Sequence, residues 1–155
     1  MHRFLIKGAP LWHSFLVKIM INKVRKLVNQ YLSSDPKGYE LQTLEVDKDN
    51  NILVEIDRLG VVDVDDCAAL NRFLVDNLGP ELDNYSLEVG SVSLTAPFKS
   101  LIQFNKNLGS NVIVTDKEGK RHSGQLNSVD EETFMVNDDV YRYAEVQSVI
   151  AQLKF

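Results

Sequence analysis

The sequence predicts an α+β protein of two small parts, an α-β-β-α-β unit followed by a small β-barrel. Three observations predict it. Two stretches with helical apolar spacing frame a strand hairpin in the first half of the chain. Short strand-like runs separated by turn residues fill the second half. Between them, Leu87 to Phe98 begins as a strand, breaks into small and polar residues, and restarts at Pro97-Phe98. That stretch reads as the last strand of one domain and the joint to the next. The expected division is an extension over 1–19, an N-terminal α/β domain over 20–93 and a C-terminal barrel over 94–155.

In chain order, Ile21 to Leu32 places Ile21, Val24, Leu27, Val28, Tyr31 and Leu32 on one helical face. Ser33-Ser34-Asp35-Pro36 ends it, because the residue before proline avoids helical geometry. Tyr39 to Asp47 and Ile52 to Ile56 are strands around the turn Asp47–Asn51, an antiparallel hairpin with room for a bulge near Gln42-Thr43. Asp63 is the expected N-cap of a second helix through Leu78, with Cys67, Leu70, Leu74 and Leu78 as its apolar stripe and Gly79-Pro80 as its stop. Leu87 to Gly90 adds a third strand, which permits one sheet with both helices on one face. Ser100 to Leu108 is a short helix. Strands then follow at Asn111–Asp116, Arg121–Val129, Thr133–Val136, Val140–Tyr143 and Gln147–Leu153, and Gly124 allows a bend or bulge.

Composition narrows the function classes. The chain has 155 residues and a net charge of -5, with 22 acidic and 17 basic side chains. That balance opposes a sequence-independent grip on duplex nucleic acid, which needs many cations, and suits a basic partner. Cys67 is the only cysteine, so no intramolecular disulfide forms and a reducing cytoplasm is the natural setting. No apolar run approaches the ~18 residues of a membrane span. Met1 to Ile19 is interrupted by Lys7, His13 and Lys18 and split by Gly8-Ala9-Pro10. It reads as a loose extension, or as sequence upstream of a true start at Met20, rather than as a secretory signal.

Catalytic chemistry finds little support. His122 is the only histidine in the body of the chain, on a hairpin arm, and reads as an exposed strand residue. Cys67 shares its stripe with leucines and reads as a small core residue rather than a nucleophile. Asp63, Asp65 and Asp66 could hold a cation or supply an acid–base pair, but capping of the helix is the preferred reading. Asp47, Asp49, Asn50 and Asn51 lack the rest of a calcium loop. No glycine pattern forms a phosphate loop. Lys117, Lys120, Arg121 and His122 make a basic hairpin, read as a solvated turn in preference to an RNA contact.

One resemblance sharpens this. Leu87-Glu88-Val89-x-Ser91-x-x-Leu94-x-x-Pro97-Phe98 resembles the central motif of the bacterial ribosome maturation factor RimP family. Val62 to Cys67 is similar to the family's entry into its second helix. Leu101-x-x-Phe104-x-x-x-x-Gly109-x-x-Val112-x-Val114, Gly124-x-Leu126 and Val146-x-x-Val149-x-Ala151 follow in the family's order. Val92-Ser93 stands where the family commonly has Pro-Gly, and Thr95-Ala96 where it has Asp-Arg, so any contact carried by that basic residue is absent. The resemblance implies a KH-like N-terminal domain and an SH3- or Sm-like barrel. It implies a non-enzymatic cytoplasmic monomer that binds the immature small (30S) ribosomal subunit through a small-subunit ribosomal protein and rRNA. No cofactor, metal, membrane or small-molecule substrate is expected. The alternatives are a general RNA-binding module of Sm-like or KH-like type acting away from the ribosome, and an enzyme built on Asp63–Asp66. Candidate interaction surfaces are Asp63, Asp65 and Asp66; Ser91, Leu94 and Pro97 in the joint; and the barrel turns with Lys120, Arg121, Asp138 and Asp139.

Overall fold

The computed structural model describes residues 11–153, with side chains from Ser14 onward. The fold is mixed α+β. Its elements are α1 (Leu11–Ser33), β1 (Glu40–Val46), β2 (Asn51–Asp57), α2 (Val64–Leu78), β3 (Ser86–Ser91), α3 (Leu101–Lys106), β4 (Asn111–Asp116), β5 (Arg121–Val129), β6 (Thr133–Val136), β7 (Asp139–Arg142) and β8 (Val146–Ala151). The chain forms two compact units. One comprises residues up to Ile56 together with Val62–Ser91, and the other Asp57–Val61 together with the residues from Val92 on.

The first unit is a three-stranded sheet in the order β1-β2-β3. β1 and β2 form a hairpin closed by the Asp47 N–H donating to the Asn51 carbonyl at 3.1 Å. β2 and β3 run parallel, with Asn51 opposite Ser86 and Ile56 opposite Ser91. A parallel pair needs a long crossover, and α2 supplies it. Ile52, Val54 and Ile56 lie on one face of β2, all essentially inaccessible to water. They pack with Met20, Val24, Val28 and Leu32 of α1 and with Cys67, Leu70, Leu74 and Leu78 of α2. Rings of Tyr31 and Phe73 meet at 4.8 Å across the two helices.

The apolar stripes match the expected ones, but α1 starts ten residues before the Ile21 that hydrophobic spacing predicts. Among the described side chains, core contact begins at Met20. Helix continuation needs only the absence of breakers, and no glycine or proline occurs in 11–33. The rest of the expected extension, residues 1–10, lies outside the described residues. α2 begins and ends where the sequence places it, with Gly79 at φ 52 closing the helix in a conformation that suits glycine.

The second unit is a five-stranded antiparallel sheet in the order β7-β6-β5-β4-β8. It is open, with β7 and β8 as its edges, and so departs from the closed barrel that the strand spacing predicts. β7 has four residues, and a 3-10 turn over Tyr143–Glu145 follows at once. The chain then crosses to the far edge and pairs with β4 instead of β7. Val112, Val114, Leu126, Phe134, Val136 and Val149 fill the core beneath Phe104 of α3. Phe104 is the centre of an aromatic cluster, with Phe98, Phe134 and Tyr143 at 5.0–5.1 Å between ring centroids.

Gly124 does a different job from the expected bend. The register shift of β5 falls later, between Leu126 and Ser128. A Cβ on Gly124 would overlap the Asn137 side chain, with Asn137 Cγ only 2.6 Å away. That carboxamide is fixed: its oxygen accepts the Gln125 N–H at 3.0 Å, and Asn137 itself sits at φ 54. Gly124→Ala should therefore destabilise the chain by about 1–3 kcal/mol in urea unfolding, and much of that loss should disappear in the Gly124→Ala/Asn137→Gly pair.

Candidate functional site

The acidic turn at the start of α2 is built around a tyrosine. Asp63 caps the helix, its side chain accepting the Asp65 N–H at 2.8 Å. Asp66 stands at the position from which an acid normally reaches back to the cap's own N–H. Here Tyr39 is inserted between them. The Asp63 N–H donates to the Tyr39 hydroxyl at 3.0 Å, and that hydroxyl donates to Asp66 at 2.6 Å. The Lys37 ammonium donates to the other Asp66 oxygen, which raises the Lys37 pKa through the hydrogen bond and the charge of Asp66. Asp66 is thereby fully engaged, while Asp63 and Asp65 remain exposed. Asp63 is occupied in capping and Asp66 in its bonds with Tyr39 and Lys37, and among the described residues no group of three or more His, Cys, Asp or Glu is placed to hold a metal ion.

Cys67 follows immediately and is buried. Burial, then the charges of Asp66 and Asp63, push its thiol pKa up. The thiol is held in its unreactive form, which agrees with the core reading and opposes a nucleophilic one.

In the joint, Ser91 is the exposed last residue of β3 and belongs to the first unit. Leu94 and Pro97 belong to the second. Ser93 to Ala96 forms a turn, with the Ala96 N–H on the Ser93 carbonyl at 3.1 Å and the Thr95 N–H on Ser93 Oγ at 3.2 Å. The tip residue, Leu94, is 77% exposed. The Phe98 N–H then donates to the Val149 carbonyl at 2.8 Å and pins the chain beside β8.

Next to this turn lies a polar cluster that sequence reasoning missed. Asp57 is buried, and its carboxylate accepts from Gln103 Nε2 at 2.9 Å and Lys106 Nζ at 2.8 Å. Gln103 Oε1 in turn accepts the Lys99 and Ser100 N–H groups at 2.9 and 3.0 Å, forming a capping box on α3. The sequence signal was present, since Ser100-x-x-Gln103 is the capping-box pattern. Nothing local pointed to Asp57 as its partner 46 residues away.

The basic hairpin carries its own counter-ion. His122 Nε2 lies 3.0 Å from Asp116 Oδ2, while the other Asp116 oxygen accepts the Glu118 and Lys120 N–H groups at 2.9 Å. These bonds, the one with His122 first, lower the Asp116 pKa. Lys120 and Arg121 point into solvent, and Asp138 and Asp139 are exposed at the β6–β7 turn. The candidate residues thus fall into separate surface groups. Only Asp63, Asp65 and Asp66 are brought into one hydrogen-bonded turn.

No family model matches the chain. Individual relatives do. The ribosome maturation factor RimP of Porphyromonas gingivalis is 33% identical over 107 residues, covering 69% of each chain. This chain belongs to the RimP family. RimP of Flavobacterium psychrophilum is 32% identical over 87 residues, 56% of each chain. RimP of Christiangramia forsetii is 28% identical over 106 residues, covering 68% of this chain and 69% of its own. The RimP resemblance read from the Leu87–Phe98 stretch agrees with these relatives. Among the described residues no helix is long and apolar enough to cross a membrane.

Two measurements probe these sites. Tyr39→Phe leaves the Asp63 N–H without its acceptor and removes a donor from Asp66, so it should lose about 1–2 kcal/mol in chemical denaturation. Asp116 has its folded pKa below the ordinary 3.8. The unfolded state therefore binds more protons as pH falls past that value. The stabilisation is complete above about pH 5 and is lost on acidification through the lowered folded pKa. Asp116→Asn should flatten the fall of stability with acidification below about pH 5, measured by urea midpoints across pH.

Proposed function

We propose that this chain is a non-enzymatic ribosome maturation factor that assists assembly of the small ribosomal subunit by binding the immature particle in the cytoplasm. The observation that carries the reading is the 33% identity to a ribosome maturation factor over 69% of both chains. The order of the weaker motifs from Val62 to Ala151 supports it. A chain of net charge -5 meeting basic ribosomal protein is favoured by charge complementarity, which speeds encounter and selects partners.

In this reading the first unit is the KH-like domain and the second an SH3- or Sm-like domain whose sheet stays open. The chain acts as a monomer and uses rRNA and a small-subunit ribosomal protein as partners. The contact surfaces are drawn from the acidic turn Asp63, Asp65 and Asp66, the joint with Ser91, Leu94 and Pro97, and the turns bearing Lys120, Arg121, Asp138 and Asp139. Of these, the joint offers mainly hydroxyls and an exposed leucine, so the charged contacts fall to the other surfaces.

Deleting the gene should cause immature small subunits to accumulate during rapid or cold growth, seen in sucrose gradients and by rRNA end mapping. Re-expression of the chain should reverse this. An unchanged particle profile overturns the proposal. Affinity for free RNA equal to that for the purified small subunit, with the same salt dependence, supports the general RNA-binding module instead.

A further inference from the structure

The longest acid-free stretch of this acidic chain is its beginning. None of the first 34 residues is Asp or Glu, while Arg3, Lys7, Lys18, Lys23, Arg25 and Lys26 all fall there. All 22 acidic side chains come from Asp35 onward. α1 therefore carries a concentrated positive field in a molecule that is negative elsewhere.

The structure arranges that charge on one side of the helix. Phe15, Lys18, Asn22, Arg25 and Asn29 follow one another at steps of three and four, and Lys26, four residues after Asn22 and three before Asn29, widens the same face. All six are exposed, Phe15 to 62%. From Phe15 to Asn29 the face runs about 21 Å, long enough for several consecutive phosphates. Lys23 sits to one side and pairs with Glu81. Lys18, Arg25 and Lys26 have no ion-pair partner among the described residues. Beside the face, Arg25 and Asn29 also line an open groove of about 390 Å³ with Glu40 and Gln42 of β1, whose amides and carboxylate offer hydrogen bonds of the kind base edges use.

We propose that this face of α1 binds RNA, with Lys18, Arg25 and Lys26 on the phosphate backbone and Phe15 stacked on an unpaired base. Unpaired cations interleaved with an exposed aromatic ring are the chemistry of single-stranded RNA recognition. A bilayer is the less suitable partner. The helix's apolar stripe, Met20, Val24, Val28 and Leu32, is already committed to the core, and among the described residues of α1 only Phe15 and Leu16 are exposed large apolar side chains, too few to make a continuous face that sinks into lipid. A basic protein would be repelled. The proposal rests on the ribosomal reading above for the identity of the RNA, which is then the rRNA of the immature small subunit, and it leaves basic ribosomal protein to the acidic surfaces.

The test uses the full chain, purified immature small subunits and free small-subunit rRNA. The variant K18E/R25E/K26E changes only exposed side chains, and a melting curve matching the wild type shows that it is folded. K18Q/R25Q/K26Q and Phe15→Ala are measured alongside. The charge-reversed variant should bind the particle and the free rRNA on the order of tenfold more weakly near 0.1 M salt, and the neutral variant should flatten the slope of log affinity against log salt by about 2. Phe15→Ala should weaken binding with the salt slope unchanged. Equal binding by wild type and charge variants, with one salt slope, overturns the inference and leaves the maturation role standing. If the wild-type chain ignores the particle, the maturation role fails. The inference is then decided on free rRNA, where loss of binding by the charge variants supports it and equal binding overturns it. Flotation of the wild type, but not of the variants, with phosphatidylserine vesicles while RNA binding stays unchanged also overturns it.

Discussion

The packing of Ile52, Val54 and Ile56 beneath α1 and α2 is the contact on which the first unit depends. A unit this small buries only ~60% of the surface its unfolded chain exposes, so little apolar area is spare. One strand presents three fully buried β-branched side chains to both helices. The parallel β3 is positioned through the same contact, because α2 must pack on the sheet to return the chain alongside β2. The second unit reaches the same end with aromatic rings. Phe104 on a six-residue helix gathers Phe98, Phe134 and Tyr143, and a helix that short holds its place through such packing and its capping box rather than through intrinsic propensity.

A repeated polar device shapes the turns. Asp47, Asp116 and Asp130 each accept backbone N–H groups from residues just ahead: Asp49 and Asn51, Glu118 and Lys120, Glu132 and Thr133. Each carboxylate has its pKa lowered, Asp47 first by the Asn51 side chain and Asp116 first by His122, with the backbone bonds adding to both, and Asp130 first by the backbone bonds themselves. These three carboxylates shape the turns while keeping their charge, since the lowered pKa holds them ionised.

The apolar stripes of α1 and α2, the Asp63 cap and the strands from β1 to β8 were legible because each is written in local spacing or turn chemistry. Three features were not. The start of α1 was hidden because core contact begins at Met20 while the helix does not. The open edge of the second sheet depends on where the chain crosses after β7, which strand spacing does not encode. The Tyr39 relay between Asp63 and Asp66, and the pairing of Asp57 with Gln103 and Lys106, join residues far apart in the chain. Of the candidate surfaces, the acidic turn was legible as a cap. The basic face of α1 lies outside the apolar stripe that marks the helix, and its signal is the lack of acids in its own stretch of chain.

The pairing of β2 with β3, and of β4 with β8, has a consequence for how the chain acquires its structure. The other ladders, such as β4 with β5 and β6 with β7, join neighbours through short turns and can form early. β3 can find β2 only after all of α2 has been traversed, and β8 can find β4 only after β5, β6 and β7 are in place. Each unit therefore has a single ladder that closes a long loop, the kind of contact that slows folding. On a growing chain the first unit cannot complete its sheet until Ser91 has emerged, and the second waits for its last strand. Until then β2 and β4 each expose an unpaired edge, so the interval before closure is when the nascent protein is most open to mispairing.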